Sequence, residues 1–284
     1  MTIQSDKKIK EFVISTIERK NSYKIEILQN IALLGEHSGN ETTLFVDKRF
    51  ISKDEHGYLF EIIVNERIQS DLEAFRGLEF EFSKLQSKIL IYTNDLGAPI
   101  RIANIKALRE EWVDIKMDIR KQYQGFHNLA IILSNMDTLI NSEDGYLKLF
   151  KNSEIGTLLF PSIYYPELQE RQLLKHKFFL NFFGDIPLPL RTKTEFLSFE
   201  EESAITKVCK SGSLAVNILD LDGVRKYFKS LYNKHVFIES IDINYAELYD
   251  LDAIMEVENA VQILYVTLAD NVYIFDQKVL ISKT

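Results

Sequence analysis

From Val236 through Gln277 the sequence contains neither lysine nor arginine, while Glu239, Asp242, Glu247, Asp250, Asp252, Glu256, Glu258, Asp270 and Asp276 are all acidic. Carboxylates at that density can steer and orient a basic protein. They can hold a hard cation, which wants several oxygen ligands, or keep an exposed strand from associating. Strand geometry helps to sort these. Side chains alternate, so in an extended segment Asp250, Asp252, Glu256 and Glu258 share one face, and Tyr249, Leu251, Ala253, Met255 and Val257 share the other. A straight strand spreads its carboxylates along a line and does not wrap an ion, so no metal site is expected. Asp250, Asp252, Glu256 and Glu258 are therefore read as a partner-binding strip for a protein with a basic surface.

Other chemistries lack their signatures. The closest glycines are Gly35 and Gly39, a spacing that fits neither the dinucleotide fingerprint nor the phosphate-cradling loop in standard form. The histidines, His37, His56, His127, His176 and His235, are too far apart for a local zinc pair. No G-x-S-x-G elbow occurs. Cys209 is the only cysteine, which excludes an internal disulfide; Lys207 and Lys210 flank it, and it reads as an inert small residue. The run Val216 to Val224, VNILDLDGV, resembles the first motif of haloacid-dehalogenase-type phosphatases, an apolar strand ending in D-x-D-G-T, and that resemblance implies Asp220 as a nucleophile. It departs from the motif at Val224, where that family has Thr, and the following residues read as a β-meander, not a doubly wound sheet. Asp220 and Asp222 also suit a helix start. No catalytic residue and no cofactor are assigned.

Composition bounds the class. The chain has 284 residues, 46% apolar and 27% charged, enough to build a substantial core. Its formal net charge of −8 argues against an extended nucleic-acid surface. The polar start MTIQSDKKIKEF has no apolar region after it, and no window reaches transmembrane length. A cytoplasmic location without membrane insertion is the expectation.

The elements that must position these residues are antiparallel strands and amphipathic helices. Alternation predicts strands over residues 12–34, 43–52, 58–69, 79–82, 88–92 and 100–102, with a loop at 36–40 and turns at Asp54–Gly57 and Asn94–Gly97. Pro99 marks an edge strand. Asn104 suits an N-cap, and Ile105, Leu108, Trp112, Ile115 and Ile119 form one helical stripe. Shorter helices follow at 129–140 and 145–150. Pro161, Pro166, Pro187 and Pro189 fall in 156–190, read as a connector without regular structure whose Phe178, Phe179, Phe182 and Phe183 seal a core. Strands resume at 194–199, 204–210 and 214–219, then a helix at 222–233, then strands at 245–257, 261–268 and 272–281 with turns at Glu258-Asn259 and Asp270-Asn271. The fold class is α+β: two antiparallel β-meander halves, curved or half-barrelled, with a central group of helices on one face. The divisions are 1–155, the connector 156–190, and 191–284. The expected function is a non-catalytic cytoplasmic binding protein, such as an adaptor, chaperone or toxin-neutralising partner. Its alternatives are a carrier of an apolar small molecule or lipid in a curved-sheet cavity, and an enzyme whose site is assembled from distant residues.

Overall fold

A computed structural model describes residues 13–33, 35–70, 74–142, 144–165, 168, 172–232, 241–268 and 272–284. Three long strands open the chain: β1 (Lys20–Leu33), β2 (Glu36–Asp54) and β3 (Gly57–Gln69). Helix α1 (Ala74–Ser83) follows, then β4 (Lys88–Thr93) and β5 (Pro99–Ile102). Four helices come next: α2 (Ile105–Gln122), α3 (Leu129–Asn141), α4 (Gly145–Asn152) and α5 (Glu154–Leu158). Strands β6 (Leu173–Phe183), β7 (Ile186–Glu200) and β8 (Ile205–Leu214) lead to α6 (Leu221–Tyr232), and β9 (Ile241–Leu251), β10 (Val257–Leu268) and β11 (Tyr273–Lys283) end the chain. Among the described residues no helix is long and apolar enough to cross a membrane.

The strands form one eleven-stranded sheet in the order β5-β4-β3-β2-β1-β11-β10-β9-β8-β7-β6, antiparallel throughout and open at β5 and β6. The two expected meanders are therefore halves of a single sheet, joined where the first strand pairs with the last. That seam runs from Tyr23↔Lys283 through Ile25↔Ile281 to Leu33↔Tyr273. Pro99 begins an edge strand, as its missing donor requires.

One face of the sheet carries both cores. Ile25, Ile62, Ile91, Tyr249, Val257, Val279 and Ile281 pack with α2 residues Leu108, Trp112, Ile115 and Ile119 and with Tyr146, Phe150 and Leu158 of α4 and α5. At the other end Leu188, Leu190, Tyr245, Leu264, Val266 and Phe275 pack with Val224 and Phe228 of α6. Each such aliphatic or aromatic side chain contributes roughly 1.5–3 kcal/mol on full burial. Trp112 belongs to the core, its indole N–H donating to Asp137 Oδ1 at 2.8 Å.

Several local readings change. Residues 79–82 lie in α1, not in a strand: Glu-Phe-Glu-Phe alternates, yet Leu78, Phe82 and Leu85 also fit a helical repeat, and packing of Leu78, Leu85 and the Phe82–Trp112 ring pair decides for it. Residues 36–40 extend β2 in register with β1, after Gly35 turns the chain at φ +88°. This end of the hairpin is exposed and needs no apolar alternation. Residues 12–19 precede β1, of which 13–19 are described and irregular, and 215–220 are irregular where a strand was expected. Asn104 stands at the N-cap of α2 as expected, but its side chain makes no capping bond; its Oδ1 accepts from Leu90 N–H at 2.9 Å and its Nδ2 donates to Lys88 O at 3.0 Å, tying α2 to β4.

Regular structure does run through part of 156–190, because β6 and β7 occupy it. Pro187 and Pro189 are tolerated since the β7–β8 ladder begins only at Leu190↔Leu214. Pro189 O accepts from Ala215 N–H, so the missing proline donors face the side beyond the end of β8. Phe183, Phe182 and Phe179 seal the second core as expected, whereas Phe178 is exposed. Pro166 and the turn at Asp270-Asn271 lie outside the described residues. The turn between β9 and β10 falls at 252–256, earlier than Glu258-Asn259.

A buried ion pair ties this turn to β2. Lys48 Nζ donates to Glu256 Oε2 at 2.8 Å, with both side chains at most 5% exposed, and to Leu159 O at 3.2 Å. It also lies 5.0 Å and 5.1 Å over the Phe60 and Phe160 rings. Removing one member strands the other charge in an apolar site. Lys48→Met is expected to lower the unfolding free energy in urea by about 3–5 kcal/mol, and the double change with Glu256→Met to recover most of it. A double variant whose loss equals the sum of the two single losses would show that the pair is not coupled.

Candidate functional site

The two cores do not meet in a continuous apolar layer. Between them, on the same sheet face, lies a polar seam built by strand alternation and register. In β9, Tyr245, Glu247 and Tyr249 follow one another on one face, and Glu247 stands opposite Lys210 of β8 and Gln262 of β10. Lys175 and Lys177 sit two apart on β6, paired with Thr192 and Leu190 of β7.

Glu247 is the centre of the seam and is wholly buried. Its Oε1 accepts from Lys177 Nζ at 2.7 Å, from Tyr245 Oη and from Gln262 Nε2 at 3.4 Å. Oε2 accepts from Tyr249 Oη at 2.5 Å and lies 3.3 Å from Lys210 Nζ. Lys177 Nζ also donates to Tyr245 Oη at 2.7 Å, and Lys210 Nζ donates to Pro161 O. Burial alone would push the Glu247 carboxyl up; the Lys177 and Lys210 ammoniums and the hydrogen bonds overcome it and hold the group far below the usual carboxylate range. Burial, reinforced by the Glu247 charge, pushes the Tyr245 and Tyr249 hydroxyls up, so both remain donors.

Above this network opens a cavity of about 490 Å³. Lys148, Lys151 and Asn152 of α4 line it, with Phe160, Pro161 and Ser162 beyond α5. Lys175, Lys177, Phe178 and Leu180 of β6, Thr192 and Thr194 of β7, Lys210, Tyr245 and Glu247 complete the sheet side. Ala98 and Pro99, from the opposite edge of the sheet, line it too. A second depression, of about 700 Å³, lies between α2 and α3 around Arg120, Asn128 and Asp137, with no sheet residue in its wall.

The acidic strip has a different fate. β9 ends at Leu251, and Asp252 and Glu256 belong to the turn that follows. Asp252 accepts from Arg19 and Lys283, both at 2.7 Å, and from the Ile254 and Glu256 amides at 2.9 Å and 3.0 Å. Burial would raise its carboxyl, but Lys283 and the two amides hold it below its ordinary value. Glu256 is the buried partner of Lys48, and Glu258 lies 3.2 Å from Lys283. Asp250 pairs in register with Lys207. The four carboxylates therefore do not form one solvent-facing, one-signed strip: three are matched to basic residues from distant parts of the chain. Glu239 and Asp270 lie outside the described residues.

The phosphatase-like run also resolves into local structure. Asp220 Oδ1 accepts from Gly223 N–H at 2.9 Å and Asp222 pairs with Arg225 at 3.0 Å, so both serve the start of α6. Burial and the nearby Glu195 push the Cys209 thiol up, away from a reactive thiolate. Sequence reasoning passed over the Glu247 network. Its signal was present: Glu247 shares parity with Tyr249 and Leu251, both assigned inward, and an inward carboxylate on a strand demands cations opposite it.

The chain matches no family of known proteins and no curated protein. Among solved structures, one described as "Lipid-protein interactions in lipovitellin" is similar at a TM-score of 0.46 and 7% identity, over 95% of this chain. This chain spans 25% of that one.

Glu247→Gln leaves two ammoniums facing a neutral amide and is expected to cost about 3 kcal/mol in urea unfolding. Because the folded carboxyl titrates below the ordinary 4.5, its contribution is present above that pH and is lost as pH falls through the lower folded value. Wild-type stability should therefore drop more steeply below pH 4.5 than that of the variant; parallel acid limbs would contradict this role for Glu247.

Proposed function

We propose that the protein is a non-catalytic carrier that holds an apolar small molecule or lipid in the cavity between α4–α5 and the β6–β9 end of the sheet. The observation that carries this reading is that Ala98 and Pro99 at one edge of the sheet line the same cavity as Lys175 to Leu180 at the other. In a flat sheet, ten inter-strand gaps of about 4.8 Å would put those edges roughly 48 Å apart. The sheet therefore curls strongly toward its helices, and an open, curled sheet with a helical insert is a shape that encloses ligands. A volume of about 490 Å³ falls within the range of small-molecule sites. Phe160, Phe178, Leu180, Pro99 and Pro161 supply apolar wall, and Phe178 and Leu180 are more than a third exposed. Unfilled apolar wall of this kind favours an apolar occupant.

The acids first read as a partner strip are matched within the chain, so they supply less support for a protein-docking role than the cavity does for a carrier. The Glu247 network, though rich in titratable groups, has every polar oxygen of its carboxylate engaged, which suits a structural floor better than a proton-transfer site.

Native mass spectrometry of the purified protein is expected to show a non-covalent small-molecule mass that is lost on denaturation. Leu180→Glu, which puts a charge on exposed cavity wall, should reduce that species at least about tenfold with unchanged circular dichroism. A bare chain mass, combined with no thermal shift on adding decanol, would rule the carrier reading out.

A further inference from the structure

The lysines around the cavity add a feature that an apolar carrier does not by itself require. Lys148 and Lys151 of α4, Lys175 and Lys177 of β6 and Lys210 of β8 all line the same space, and the one carboxylate among the lining residues is Glu247. Glu247 is already engaged by Lys177 and Lys210 at the floor. Among the described residues, Lys148, Lys151 and Lys175 have no carboxylate within ion-pair distance; Lys175 instead lies 4.3 Å over the Tyr165 ring. These three stand exposed at the mouth, beside Phe178 and Leu180. The clustering is local, since the chain as a whole carries a formal charge of −8. Burial pushes the Lys151 and Lys175 ammoniums down, and Lys210 pushes Lys175 further the same way. A bound anion would supply Lys151 and Lys175 with the counter-charge that they lack.

We propose that the ligand is an anionic amphiphile: an apolar chain against Phe160, Phe178 and Leu180, with a carboxylate or phosphomonoester head on Lys148, Lys151 and Lys175. This rests on the carrier reading and names its substrate class. Ammonium-to-oxyanion hydrogen bonds are about twice as strong as neutral ones. An alcohol of equal chain length gains the same apolar burial without them.

The test is isothermal titration of the delipidated full-length chain with decanoate, decyl phosphate, decanol, decyltrimethylammonium and inorganic phosphate. Decanoate or decyl phosphate is expected to bind about tenfold or more tighter than decanol, and decyltrimethylammonium more weakly than decanol. The anion that binds tighter identifies the head group. In Lys151→Gln/Lys175→Gln the anion-to-alcohol ratio should fall toward one. Lys148→Gln, a single change on an exposed helical turn, should lower the ratio less and guards against misfolding of the double variant. Decanol binding as tightly as both anions overturns the anion inference and leaves the carrier reading standing. Inorganic phosphate binding as tightly as decyl phosphate overturns the amphiphile while keeping an anion site. No binding by any of the five overturns both.

Discussion

The pairing of the first strand with the last is the constraint on which this architecture depends. Without the β1–β11 seam, β1 to β5 and β6 to β11 would be two smaller sheets, each with a long, apolar-faced strand exposed at an edge and open to association. With it, those edges are consumed, and the edges that remain are the four-residue, proline-led β5 and the lysine-bearing β6. Both are poor templates for further pairing. The seam joins residues at opposite ends of the sequence, so the loop-closure entropy is met only when nearly the whole chain is in place. Two ion pairs bridge nearly as far in sequence, Arg19 on Asp252 and Lys48 on Glu256, and with the more local Lys283 on Asp252 they gather at one end of that seam. They fix the β9–β10 turn against β1, β2 and β11.

That seam also decides where a cavity can form. The apolar strand residues of both cores face one side, and the helices available to cover that side come in two separate groups, α1 to α5 and α6. Between those groups lies the strip of β6 to β10 that carries Lys177, Thr192, Thr194, Lys210, Glu247 and Gln262, facing α4 and α5 across the cavity. A strip that faces an open cavity must either be polar or expose apolar surface. Here it is polar, and its charges are satisfied internally by the Glu247 network. The ammoniums of the floor thus share one carboxylate, while the lysines above it have none.

Much of this was legible in the sequence. The α2 stripe, the Asn94–Gly97 hairpin, the edge placement of Pro99 and the final three strands follow from periodicity and turn chemistry, because in each case local preference and tertiary packing agree. The misreadings occur where the two diverge. Glu79 to Phe82 satisfies two periods at once, and only contact with Trp112 selects the helix. Pro187 and Pro189 are acceptable in β7 because β8 is shorter than β7, which no local window reveals. The pairing of the acidic residues was illegible for a different reason: one-dimensional charge counting sees Asp252 and Glu256 without lysines nearby, yet Arg19, Lys48 and Lys283 reach them from distant positions in both directions. A segment free of basic residues is as well suited to receiving basic residues from elsewhere as to leaving its acids in water.

The same reasoning, applied to the lysines, separates structural from functional charge. A charged side chain in a folded protein either has its counter-charge supplied by the chain, as for Lys48, Lys177 and Lys283, or remains in solvent at little cost. Lys151 and Lys175 are exposed yet partly desolvated, which lowers them, and no carboxylate among the described residues comes within ion-pair distance of either. Folding alone gives no reason to set Lys175 near Lys210, a like charge that lowers it further. On the carrier reading proposed above, the missing counter-charge would arrive with the ligand. The polarity of the floor then fixes orientation, because an amphiphile gains from its head only at the mouth and from its chain only along the phenylalanine and leucine wall.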